Sequence, residues 1–90
     1  MTKDVEYHLY LLECLDGSYY CGITTDVHRR VRQHNSGKAA KYTRGRRPVK
    51  LIGSYYCGNR SEASKEEHRV KRMKRTEKLK WITHRRSGDE

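Results

Sequence analysis

Ninety residues carry a formal net charge of +10, from 21 Lys and Arg against 11 Asp and Glu, with 36% of residues charged, 33% hydrophobic and no Phe. Such a length supports one small core, so any chemistry must share it. The cationic excess suits a polyanion such as DNA or RNA. No apolar run approaches the roughly 20 residues of a spanning helix, and no signal-peptide apolar region opens the chain, so no membrane role is expected. A cytoplasmic setting follows, nucleoid-associated in a bacterium. Cys14, Cys21 and Cys57 lack the paired spacing of a zinc or redox site, which fits reduced thiols.

Residues 1–6 read as a flexible leader and 85–90 as a disordered tail, leaving one domain over 7–84. From Tyr7 to Cys14, His8, Tyr10, Leu12 and Cys14 alternate with Tyr7, Leu9, Leu11 and Glu13. Both faces are largely apolar, as a central strand requires. Asp16-Gly17 signals a hairpin, and Ser18 to Thr24 returns as the second strand. Two registers are open. A two-residue turn pairs Tyr10 with Ile23 and sends Tyr10 and Tyr20 to opposite faces. A three-residue Leu15-Asp16-Gly17 loop with a left-handed Gly17 pairs Leu12 with Tyr20 and Tyr10 with Gly22, so both phenols share a face. A common site needs the second arrangement.

Thr24, Thr25 and Asp26 offer helix N-caps, after which Val27, Arg30, Val31 and His34 fall on one stripe. Arg30 either lays its stem along the core edge with its head in water or, with His34, borders a site beside the tyrosines; His34 is otherwise a partly buried surface residue. Ser36 to Lys50 carries Lys38, Lys41, Arg44, Arg46 and Arg47 with no acid, punctuated by Gly37 and Gly45. It reads as a basic loop that tracks a phosphate backbone, with Tyr42 available to a base, or else as a solvated connector. Val49 to Cys57 forms the third strand. Asn59-Arg60-Ser61-Glu62 resembles a capping box that opens a long helix, with Ala63, Glu67, Val70 and Lys74 on its apolar stripe. A carboxylate there is costly unless paired, for instance with Arg30, or bound to a cation. A third short helix is expected from Thr76, with Leu79 and Ile82 packing and Trp81 either closing the core, which the scarcity of large apolar groups favours, or meeting a partner.

His8-Leu9-Tyr10, then Tyr20-Cys21-Gly22, Arg30, His34-Asn35 and Glu67 together resemble the GIY-YIG nuclease domain, over roughly Tyr7 to Ile82. The stretch from Gly22 to Val49 is most similar to the family's small single-domain bacterial group and to the eukaryotic structure-selective nuclease subunit. The resemblance implies an α+β fold, a three-stranded antiparallel sheet flanked by helices, and hydrolysis of a DNA phosphodiester with one divalent metal, Mg²⁺ or Mn²⁺. Carried over by position, it makes Tyr10 and Tyr20 the motif tyrosines, Arg30 the helix arginine, His34 a position held by His or Tyr, and Glu67 the metal ligand. His8, Leu9 and Cys21 depart from the motif letters, and Ile23 stands where some members have lysine. Many relatives take specificity from an attached domain, so DNA, branched or single-stranded, and a protein partner supplying specificity are the expected partners.

The chemistry stands apart from the resemblance. Phosphodiester hydrolysis needs an activated water, neutralised phosphoryl oxygens and help for the leaving oxyanion. Glu67 plus waters suits Mg²⁺, and Arg30 offers a fixed fork to the phosphate. Tyr10, with an ordinary pKa of about 10, must be acidified or must only orient the water, and His34, near about 6.5, rivals it as base. The alternative is a catalytically silent nucleic-acid-binding module on the same scaffold.

Overall fold

The computed structural model describes residues 5–88, with side-chain surroundings through His84; residues 1–4 of the expected leader and 89–90 of the expected tail lie outside that range. In order come β1 (Tyr7–Glu13), β2 (Tyr19–Thr24), α1 (Val27–Asn35), α2 (Lys41–Arg44), β3 (Lys50–Gly58), α3 (Arg60–Lys71) and α4 (Arg75–Gly88). The sheet is three-stranded and antiparallel in the order β2-β1-β3. The fold is α+β, as expected.

The tight turn sets the register. Gly17 adopts φ +87°, a conformation that costs a residue without a Cβ little. Gly17 N–H donates to the Cys14 carbonyl at 2.9 Å and Cys14 N–H to that of Ser18 at 2.8 Å. Asp16 accepts from the Ser18 backbone at 3.0 Å. The loop is therefore the three-residue form, and Leu12 pairs with Tyr20, Tyr10 with Gly22. Tyr10 and Tyr20 share a face.

Because β1 is central and successive side chains alternate, its residues feed two cores. Leu9 and Leu11 join Cys21, Tyr55, Val70 and Ile82 beneath α3 and α4. Tyr10, Leu12 and Cys14 join Val49, with Val27 and Val31 of α1 packed against them. Asp26 caps α1 by accepting from Arg29 N–H at 3.1 Å, and Asn59 and Glu62 form the capping box of α3. Asn35, at the last turn of α1, brackets the backbone of Val49 with bonds of 3.1 and 2.6 Å, fastening α1 to the start of β3.

Three elements differ from expectation. The basic segment contains a single helical turn, α2, where a continuous loop was expected. The third strand is displaced by one residue, to Lys50–Gly58. The last helix starts at Arg75 and is not short, running 14 residues. Trp81 packs at the margin of the larger core, its indole N–H donating to Tyr55 Oη at 2.7 Å.

Candidate active site

Tyr10, Tyr20, Arg30 and His34 gather on the α1 face. Tyr10 is 1% exposed, and its ring lies across Gly22 on the neighbouring strand. A Cβ at Gly22 would stand 2.5 Å from Tyr10 Oη and 2.6 Å from Cζ, so only glycine leaves room for the phenol. Tyr10 Oη is bonded to His34 Nε2 at 2.8 Å. His34 Nδ1 is bonded to Thr43 Oγ1 of α2, also at 2.8 Å. His34 is fully buried, so its reading as a partly buried surface group does not hold. Its ring lies edge-on to Tyr10 and to Tyr20, with centroids 5.7 and 5.1 Å away.

Proton positions follow from this chain. The Thr43 hydroxyl has one hydrogen, donated to the Ala40 carbonyl at 3.1 Å, so its oxygen accepts at His34. His34 therefore carries its proton on Nδ1, and Nε2 accepts the proton of Tyr10. Both imidazole nitrogens are engaged. Burial, then the nearby Arg30 charge, pulls His34 down from 6.5 to about 4, so it is neutral at physiological pH. Burial pushes Tyr10 up to about 12, against the opposing pull of Arg30. Thr43 had no signal in the sequence, being one threonine in a basic stretch.

Arg30 donates from Nη1 to Gln33 Oε1 at 2.9 Å and forms no ion pair among the described residues. Glu67 comes from α3 between buried Ala63 and Val70, and its side chain is 23% exposed. Its partner is Lys71, with Nζ 3.1 Å from Oε2, and not Arg30 as the pairing argument anticipated. The signal was present, since opposite charges four residues apart on a helix meet. Lys71 Nζ also lies 5.7 Å from the centre of the Tyr20 ring, so the Glu67–Lys71 pair abuts Tyr20 at the β2 edge. Burial tends to lower the Lys71 pKa, but the Glu67 carboxylate outweighs it and the net shift is upward. Burial first, and Glu67 second, raises the Cys21 thiol to about 12. Among the described residues Glu67 makes no hydrogen bond or ion pair with Tyr10, Tyr20, Arg30 or His34. No group of three or more His, Cys, Asp or Glu gathers to hold a metal among those residues. A divalent ion here would rest on the Glu67 carboxylate, waters and substrate oxygen, a set that Mg²⁺ accepts. Lys71 would have to yield that oxygen.

The basic segment divides in two. Lys38, Lys41 and Arg44 are exposed, and their side chains have no bonded partner among the described residues. Arg46 and Arg47 are internally engaged. Arg46 pairs with Asp16 at 3.0 Å and donates to the Tyr42 carbonyl at 2.8 Å. Arg47 donates to the carbonyls of Arg44 and Asn35 at 2.9 and 3.3 Å. Tyr42 is engaged twice: its ring stacks on Tyr20 with centroids 5.9 Å apart, and the Arg46 guanidinium sits 3.9 Å over it. A base stacking on Tyr42 competes with these two contacts.

Comparison with known proteins supplies the family. The GIY-YIG catalytic domain model matches residues 6–80. The UPF0213 protein of Halobacterium salinarum is 51% identical over 72 residues, covering 80% of this chain and 94% of its own. A UPF0213 protein of Streptococcus pneumoniae is 50% identical over 80 residues, 89% of this chain and 81% of its own. The solution structure of the Bacillus halodurans UPF0213 protein superposes with a TM-score of 0.54 at 45% identity, covering 87% of this chain and 83% of that one. That of an E. faecalis protein gives 0.62 at 40%, covering 93% and 90%. Fold, motif spacing and kinship agree: the chain belongs to the GIY-YIG catalytic-domain family, a family of nucleases whose substrate is nucleic acid.

Proposed function

We propose that the protein is a divalent-metal-dependent endonuclease that hydrolyses DNA phosphodiester bonds at the Tyr10–Arg30 site. The observation that carries this reading is the buried Tyr10–His34–Thr43 chain, with both links 2.8 Å. Tyr10 is protonated at neutral pH, and its own hydrogen is committed to His34 Nε2, which leaves the phenolic oxygen as an acceptor. That oxygen orients a water and takes its proton as the Tyr10 proton moves to Nε2. His34 stands behind Tyr10 and cannot itself touch the nucleophile, because both nitrogens are occupied. As the water oxygen bonds to phosphorus and the P–O bond to the leaving oxygen breaks, Tyr10 passes the water-derived proton toward that oxygen and takes its own back from His34, whose low pKa releases it readily, so the relay resets. Arg30 presents the fork to the scissile phosphate and opposes the charge that builds there. Glu67 is the group on which the metal would rest, and the metal would supply charge neutralisation at the phosphoryl oxygens. Tyr20 walls the site at the strand edge.

The test is a cleavage screen over duplex, single-stranded and branched DNA with Mg²⁺ or Mn²⁺, using Glu67→Ala and Arg30→Ala as controls. Cleavage that both substitutions abolish is expected; none in any substrate, or cleavage indifferent to both, ends the reading. The Lys71 ammonium against Glu67 favours a second reading, a non-enzymatic nucleic-acid-binding module. That module would bind DNA in a salt-sensitive way, with no metal requirement and no change in Glu67→Ala.

A further inference from the structure

Both outer strands run antiparallel to β1, so each ends beside the start of β1: Thr24 opposite His8, and Gly58 opposite Tyr7. The helices that follow therefore begin at one end of the sheet, α1 at Val27 over one core and α3 at Arg60 over the other. A cleft of about 310 Å³ lies there, reached by Arg29 and Arg30 from α1 and by Arg60 from the first turn of α3. None of these guanidiniums forms an ion pair among the described residues. Arg30 is held by neutral partners, Gln33, which also lines the cleft, and the Tyr10 hydroxyl. The single carboxylate lining it, Asp26, is turned to the Arg29 backbone as helix cap. Three cations against one acid in a concave space repel each other unless an anion lies among them. The planar forks fit phosphate oxygens in pairs.

We propose that this cleft is a second phosphate subsite, which holds the nucleic-acid phosphate next to the one presented to Tyr10. The assignment rests on the nuclease reading for what happens at Tyr10, but the cleft binds whether or not the chain cuts. Arg30 is shared by the two positions, so the two phosphates are neighbours on the strand. The ligand is a phosphate of a nucleic-acid strand, either an internal diester or a terminal monoester.

Arg29 and Arg60 are exposed and lie outside the Tyr10–His34–Thr43 chain, so Arg29→Ala/Arg60→Ala leaves the fold intact. Binding is measured by anisotropy in chelator, without cleavage, on single-stranded oligonucleotides bearing a 5′-phosphate or a 5′-hydroxyl, over a range of salt. The expected result is binding about tenfold weaker, a loss in keeping with hydrogen bonds to charged groups, and a log–log salt slope smaller by about 0.7, that of one strand phosphate released. A loss confined to the 5′-phosphorylated strand identifies a terminal monoester, and an equal loss for both identifies a diester. Unchanged affinity and slope overturn the subsite, as does a loss no greater than that of the control Lys65→Ala/Lys80→Ala, which removes two exposed cations elsewhere. Cleavage without the binding loss sinks the subsite alone; the binding loss in a chain that cuts no DNA sinks the nuclease reading alone.

Discussion

Replacing Thr43 by valine keeps the volume and removes the oxygen that accepts His34 Nδ1–H at 2.8 Å. In a site with no solvent exposure, a donor left without its acceptor costs about 1–3 kcal/mol. At about 4–8 °C per kcal/mol for a domain of this size, the melting temperature falls by about 5–20 °C. His34 escapes part of that cost by moving its proton to Nε2, which must then donate to Tyr10, and the phenolic hydrogen loses its acceptor. Thermal unfolding followed by circular dichroism gives the first quantity. Long-range ¹H–¹⁵N correlation of the imidazole gives the second, by showing which nitrogen bears hydrogen. The expected pattern is Nδ1–H in the wild type, Nε2–H in Thr43→Val, and wild-type behaviour in Thr43→Ser. Wild-type His34 protonated at Nε2, or a Thr43→Val chain as stable as its parent with the same tautomer, refutes the proton assignment and the relay built on it.

Gly22→Ala forces the Tyr10 ring aside and should cost about 1–3 kcal/mol, as overpacking does, with cleavage lost; a stable and fully active variant contradicts the packing argument. Folded His34 titrates near 4 and its unfolded counterpart near 6.5, so the unfolded chain binds the extra proton between those values. Stability from this group is complete above pH 6.5 and falls as pH drops toward 4, by roughly 3 kcal/mol in all. Urea unfolding at several pH values reads this, and His34→Gln should flatten that part of the profile. Lys71→Met frees the Glu67 oxygen and should lower the Mg²⁺ concentration for half-maximal cleavage several-fold; an unchanged or higher requirement argues against Glu67 as the ligand.

Features governed by a few neighbouring residues could be read from the sequence. Asp16-Gly17 narrowed the hairpin to two registers, Asp26 and the Asn59–Glu62 box marked two helix starts, and period-two alternation split β1 between two cores. The α2 turn escaped because four residues show no periodicity and its N-cap, Ala40, has no side-chain acceptor. Thr43 escaped because its role depends on the tertiary placement of His34, nine residues away. The occupation of Tyr42 was equally hidden, since it depends on the packing of Tyr20 and Arg46 against its ring.

The Tyr20–Tyr42–Arg46–Asp16 column clasps the hairpin tip to the basic segment, through an ion pair half open to water. Ionic strength thus acts on this molecule twice. It competes with the nucleic-acid backbone, and it also slackens the ion pair that holds Arg46 over Tyr42, the ring on which Tyr20 stacks. The second action is intramolecular, so saturating substrate does not reverse it, and a turnover ceiling that sinks with salt after affinity has been made up is the mark it would leave.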